Sequence, residues 1–185
     1  MGGPLAEQEN LSQVHDILDL ACGPGELALE LAQQYPDKRV TGVDISRLMI
    51  EYARFQATQH HISNARFRVM NILEGLDFSD ASFDLVNARL LASFLFRTID
   101  AWPKAIQEYI RVTRPGGTIR LTECEWPLST SAAMEKYSGL ALRAIQLAGN
   151  TFSPDERNTS TTPILGRFLR NAGCKQLQTR SAEHA

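Results

Sequence analysis

The chain has 185 residues, 43% of them apolar, and a formal net charge of -2, so it is long enough for one full core and short for two, and a single domain, 1–185, is expected. That charge gives no electrostatic footprint for nucleic acid or an acidic membrane surface, and three scattered cysteines without a C-x-x-C pair suggest neither a disulfide framework nor a zinc site. With no leader-like start and no run of about 18 apolar residues, a cytoplasmic protein with a small-molecule substrate, and with no nucleic-acid or membrane partner, is expected.

From residue 16 onward, short apolar runs alternate with helical patterns, the signature of βαβ units and a mostly parallel, doubly wound α/β sheet. DILDLA (16–21) reads as a first strand and ELALELAQQY (26–35) as a helix closed by Pro36. RVTGVDI (39–45) is a second strand, rich in β-branched residues. Ser46 caps a helix over 47–59, with Leu48, Ile50, Ala53, Phe55 and Ala57 as its apolar face. ARFRVMNI (65–72) is a third strand and FDLVNAR (83–89) a fourth, with turn-like LEGLDFSDAS between them. A helix from 101 to 113 stops at RPGG before a fifth strand, TIRLTECE (118–125). Helices over 131–149 and 162–173 follow, separated by the polar stretch 150–162, and KQLQTRS (175–181) reads as a sixth strand.

The stretch ILDLACGPGELALELA (17–32) carries the first functional signal. A strand that runs through a glycine loop into a helix points backbone N–H groups at whatever sits above the strand end, and Gly23 and Gly25 would let a ligand approach the main chain closely. Asp44 ends the next strand, where this architecture reaches the ribose hydroxyls of a nucleoside, so the ligand is an adenosine derivative. The run from Gly23 to Ala28 also satisfies G-x-G-x-x-[GA], which keeps an NAD-dependent oxidoreductase as an alternative. Asp19 discriminates: a carboxylate at the mouth of the loop repels a pyrophosphate and suits a cofactor that carries an ammonium and a sulfonium.

ILDLACGPG (17–25), GVDIS (42–46), FDLVNAR (83–89) and RVTRPGG (111–117), in this order, resemble the motifs of class I, Rossmann-like S-adenosylmethionine-dependent methyltransferases. The resemblance covers nearly the whole chain and implies strand order 3-2-1-4-5, S-adenosyl-L-methionine as cofactor and S-adenosyl-L-homocysteine as product. It implies that Asp19 contacts the methionine end, that Ala21, Cys22, Gly23 and Gly25 form the cofactor loop, that Asp44 takes the ribose hydroxyls and that Ile45 packs on adenine. The family usually has an aspartate where this chain has Asn71; an amide oxygen still accepts a bond from the adenine amino group, and Met70 and Ile72 beside it offer apolar contact or, alternatively, pack in the core. Such enzymes usually have seven strands, and only six are legible here; an edge left open by the missing strand could be covered in a homodimer.

Methyl transfer from a sulfonium is an in-line displacement in which alignment alone can contribute about 7 to 11 kcal/mol, so the lack of a catalytic triad is no objection. Acceptor-side groups belong at the ends of strands four and five: Asn87 and Arg89 at the first, Glu123, Glu125 and Trp126 at the second. Asn87 is also counted with the cofactor-binding residues; Glu123 is the candidate general base or, alternatively, a structural acceptor, and Arg89 would orient an acidic substrate or, alternatively, form a surface salt bridge. NARL stands where amino-methylating relatives carry [DN]-P-P-[YF], which disfavours nucleobase or glutamine nitrogen as acceptor. His15, preceding the first strand, is placed near the cofactor side, and none of the four histidines has metal-ligand spacing. The segment 131–162 is a candidate lid, with Met134, Tyr137 and Leu140 facing substrate or, alternatively, packed in the core. A cofactor-binding module without catalysis is the remaining alternative.

Overall fold

The computed structural model describes residues 5, 11–91, 101–124, 130–149 and 161–180. Its elements run β1 (Asp16–Leu20), α1 (Glu26–Gln34), β2 (Arg39–Asp44), α2 (Arg47–Gln59), β3 (Ala65–Val69), β4 (Phe83–Arg89), α3 (Ala101–Val112), β5 (Thr113–Thr122), α4 (Ala132–Leu147) and α5 (Thr161–Asn171). The strands form one sheet in the order β3-β2-β1-β4-β5, and every pairing is parallel. The residues fall into two compact units, Met1–Arg89 with Glu108–Thr122, and Leu90–Gln107 with Glu123–Ala185.

The first unit contains the whole sheet. Strand β1 is buried along Ile17–Leu20, as a central parallel strand should be. Ile17, Val40, Phe67 and Leu85 share a core with Leu27, Ala28, Leu31 and Ala32 of α1 and Ile50, Ala53 and Ala57 of α2. Lys38 is buried beside this core with its ammonium satisfied by the Leu11 and Val14 carbonyls at 3.0 and 2.9 Å and by Asp37 at 3.2 Å, which fastens the segment before β1. At the N-terminal ends of the strands, Asp16 accepts two bonds from Arg39, at 2.6 and 2.7 Å, and Arg114 bridges Asp16 and Asp84 at 2.9 and 2.7 Å.

Several expectations change. RPGG does not precede the fifth strand but lies inside it: Phe83 pairs with Thr113 and Leu85 with Thr118, so Arg114 to Gly117 bulge out opposite Asp84 alone. A side chain at Gly117 would meet the Asp84 carbonyl at 2.8 Å. Strand β3 stops at Val69, because the Asn71 side chain takes the Leu73 N–H at 3.1 Å and turns the chain. On α2, Leu48 and Phe55 are exposed and the buried stripe is Ile50, Ala53 and Ala57. The sixth strand is not formed by residues 175–180, where Gln176 adopts a left-handed φ of 54° that breaks extension.

In the second unit, α4 begins at Ser131, whose hydroxyl accepts the Met134 N–H. It buries Ser138 and Leu142, while Met134, Tyr137 and Leu140 are exposed, so these three do not pack in a core. Residues 150–160, the greater part of the polar stretch assigned to a lid, lie outside the described residues. No helix among the described residues is long and apolar enough to cross a membrane.

Candidate functional site

Because all five strands are parallel, their C-terminal ends gather on one side of the sheet, and the loops leaving them carry the expected cofactor residues. The register sets a row across the sheet. Phe67 pairs with Gly42, Gly42 with Asp19, Asp19 with Asn87, and Asn87 with Arg120. His15 precedes β1 at the opposite end of the strand, where its N–H donates to Asp84 at 2.8 Å, so it is not on the cofactor side.

Asp19 is buried, and the Asn87 amide donates to its Oδ1 at 2.7 Å. Burial pushes the carboxyl up to about 6; the Asn87 bond and the positive charges of Arg89 and Arg120 act against that rise, and Asp44 adds to it. Asn87 is fully buried, and its Oδ1 has no hydrogen-bond partner among the described residues. Arg120 is a neighbour of the candidate site that the sequence patterns passed over; only the β4–β5 register, shifted by the RPGG bulge, brings it beside Asn87.

The loop after β1 divides its glycines between two tasks. Ala21, Gly23 and Gly25 all take positive φ, 51°, 54° and 84°. A methyl group on Gly23 would meet nothing within 4 Å, whereas one on Gly25 would stand 2.8 Å from both Ala53 and Phe67. Gly23 therefore leaves open space above the strand end, and Gly25 is demanded by packing of the loop on α2 and β3. Cys22 donates its backbone N–H to the Val43 carbonyl at 2.9 Å, and its half-buried thiol is held above its ordinary range by desolvation.

Asp44 closes the loop from the other side. Its Oδ2 accepts the Gly23 N–H at 2.9 Å and its Oδ1 the Ser46 N–H at 2.8 Å, so the carboxylate is fixed between β2, the glycine loop and the cap of α2. Each oxygen keeps a second lone pair for a hydroxyl donor. Ile45 is 63% exposed directly after it. Met70 is buried and donates its N–H to the Asp44 carbonyl at 2.9 Å. Asn71 uses its amide nitrogen on Glu74 and one lone pair of its oxygen on Leu73; it and Ile72 are half-buried.

The acceptor-side candidates divide between the units. Arg89 is exposed at the end of β4, two residues beyond Asn87 and on the same face of that strand. Glu123 belongs to the second unit and accepts the Leu91 N–H at 2.6 Å. Glu125 and Trp126 lie outside the described residues. No group of three or more histidine, cysteine, aspartate or glutamate side chains among the described residues could hold a metal ion.

A five-stranded parallel sheet in this order, with an acid at the end of β1, a glycine loop and an acid at the end of β2, defines a Rossmann-like nucleotide-cofactor fold. The chain belongs to the methyltransferase-domain family, whose model matches residues 12–173. It is 33% identical over 128 residues to the demethylmenaquinone methyltransferase of Symbiobacterium thermophilum, covering 66% of this chain and 49% of that protein. The enzyme of the same name from Thermus thermophilus is 39% identical over 111 residues, 60% of this chain and 47% of that one. Among solved structures, the PH0226 protein of Pyrococcus horikoshii superposes with a TM-score of 0.52 at 32% identity, covering 60% of this chain and 50% of that one. The chain thus spans about half the length of the curated relatives it matches. The dinucleotide oxidoreductase alternative gives way to this family membership.

Proposed function

We propose that the chain is a methyltransferase that binds S-adenosyl-L-methionine at the C-terminal ends of β1, β2 and β4 and methylates a small-molecule acceptor. The observation that carries this reading is the pairing of a buried carboxylate, Asp19, with open space at Gly23 in the loop beside it. Anionic phosphates in the glycine loop would meet Asp19, whereas a cationic amino-acid head suits Asp19 and a neutral ribose suits Asp44. When bound, this cofactor supplies an electrophilic methyl group on a sulfonium.

The residues present fit such a group. Asp19 offers charge to an ammonium, Asp44 offers its remaining lone pairs to two hydroxyls, and Ile45 offers an exposed apolar face to an aromatic base. Asn71 retains one acceptor position on its oxygen, and Met70, buried beside it, gives the turn an apolar wall. Catalysis in this reading is alignment, which needs rigid placement rather than a nucleophile. The loop is placed by Gly25 against Ala53 and Phe67 and by Asp44 on the Gly23 N–H.

Two relatives are named for demethylmenaquinone methylation, so an aromatic ring acceptor of that kind heads the panel to be tried. Calorimetric titration with S-adenosyl-L-homocysteine and with NADH should give binding for the first alone. A methyl-transfer assay on the full chain against ring, amine and carboxylate acceptors then tests the activity. Tighter binding of NADH, or no transfer to any acceptor by a chain that binds the homocysteine compound, would overturn the proposal.

A further inference from the structure

Asp19 and Asn87 sit opposite each other on the paired strands β1 and β4, both buried, joined by one hydrogen bond in which the amide donates. The other end of that amide is left over: Asn87 Oδ1 is buried with no partner among the described residues. A buried acceptor without a donor is costly, and one retained in contact with a buried carboxyl calls for a reason. Asparagine can serve either form of a carboxyl group, since its NH2 donates to the ionised form and its oxygen, after a half-turn of the amide, accepts from the protonated form.

We infer that Asn87 is a positioning residue for the cationic end of the cofactor: its amide holds Asp19 as an oriented carboxylate, its stranded oxygen serves the protonated carboxyl, and binding of the cation drives the change. The inference rests on the reading above that Asp19 meets the ammonium. The proton balance is simple. Asp19 protonated in the free protein loses one proton to the buffer as the cation binds, the amide turns its NH2 to the carboxylate, and no bond other than O–H is broken.

The surroundings set the pH at which this matters. Asp19 faces Asn87 and Arg89 of β4, Arg120 of β5, Asp44 of β2 and Cys22 of its own loop. Burial dominates and places its titration near pH 6, while the Asn87 bond and the two arginines favour the ionised form. Cofactor affinity should therefore carry an acid limb near pH 6, absent from a site whose acid titrates in the ordinary carboxylate range.

The test is calorimetry on the full chain with S-adenosyl-L-homocysteine, run in buffers of different ionisation enthalpy. At pH 5.5 binding should release most of one proton, and at pH 8 none. Asn87→Leu removes the donor, so its acid limb should move up by about one pH unit, with roughly tenfold weaker binding at pH 5, only about twofold at pH 7 and a return to the parent's affinity at pH 9. Asn87→Ser, which keeps a donor, should restore part of the shift. Damage to packing alone would weaken binding equally at every pH and would overturn the inference, as would an absence of proton release at pH 5.5, a measurement that needs no variant. Asp19→Asn separates the two claims. If it binds like the parent, the reading of Asp19 itself fails; if its binding is lost while the Asn87→Leu limb stays at the parent's pH, only the role of Asn87 fails.

Discussion

At the scale of single residues, the two glycines of the β1–α1 loop make opposite predictions from one motif. Gly25→Ala places a methyl 2.8 Å from Ala53 and Phe67 at a φ of 84°. Left-handed strain together with overpacking should cost about 3 kcal/mol, read as a lower denaturant midpoint with an unchanged slope. Gly23→Ala meets nothing within 4 Å and carries only the strain of its φ of 54°, about 1 kcal/mol. Its methyl instead occupies the space proposed for the ligand, so affinity for S-adenosyl-L-homocysteine should fall by tenfold or more in a protein that still folds. The reverse outcome, with Gly23→Ala unstable and Gly25→Ala weak in binding, would mean that the wrong glycine has been given to the ligand. The placement of this loop's residues is legible in the sequence, because Asp19, Gly23 and Asp44 are tied to strand ends and strand ends follow from local pattern. The inward role of Gly25 was not, since Ala53 and Phe67 reach it only through tertiary packing.

At the scale of elements, α3 is joined to the turn before β4 by an acid and an arginine. Glu108 accepts two bonds from Arg111, at 2.8 and 2.9 Å, and the Leu76 N–H at 2.9 Å, while Arg111 also donates to the Leu76 and Phe78 carbonyls and to Asp80. The Arg111 guanidinium, helped by the Leu76 N–H, holds the Glu108 carboxyl at about 2, below its ordinary 4.5. A depressed acid contributes stability that is complete above its unfolded value and is lost as pH falls through the folded one. Unfolding free energy should therefore decline from about pH 4.5 to about pH 2, and Glu108→Gln should flatten that part of the pH profile in chemical denaturation. An unchanged slope would assign the acid sensitivity to other groups. Element boundaries were readable where one local signal decides them: Ser46 caps α2, and β4 spans 83–89 as its pattern predicts. They were misread where the deciding event is a pairing. RPGG looks like a terminator because proline and glycine usually end elements, yet the pairing of β4 with β5 continues past it as a bulge. Likewise, Leu48 lies about 200° around α2 from Ile50, so apolar content in the window could not say which stripe is buried.

At the scale of the whole molecule, Asp19 sets stability against binding. Its folded titration near 6, against 3.8 for an ordinary aspartate, means that the folded chain holds a proton which the unfolded chain gives up between those values. Stability of the ligand-free protein must then fall as pH rises from about 4 to about 6 and stay reduced above it, by an amount on the order of 3 kcal/mol. Asp19→Asn keeps an acceptor for the Asn87 amide, offers an NH2 to the stranded Asn87 oxygen and removes the buried charge. The variant without ligand should consequently melt several degrees above the parent at pH 7.5, and the gap should close near pH 4. Addition of S-adenosyl-L-homocysteine at a hundred times its Kd should stabilise the parent by about 2.7 kcal/mol and leave the variant unmoved. The two shifts have opposite sign and the same cause, a charge kept in a low-dielectric place for a cationic ligand to neutralise. A variant that melts lower than the parent without ligand would show that the buried carboxylate stabilises the sheet, and the electrostatic argument for the cofactor would lose its basis.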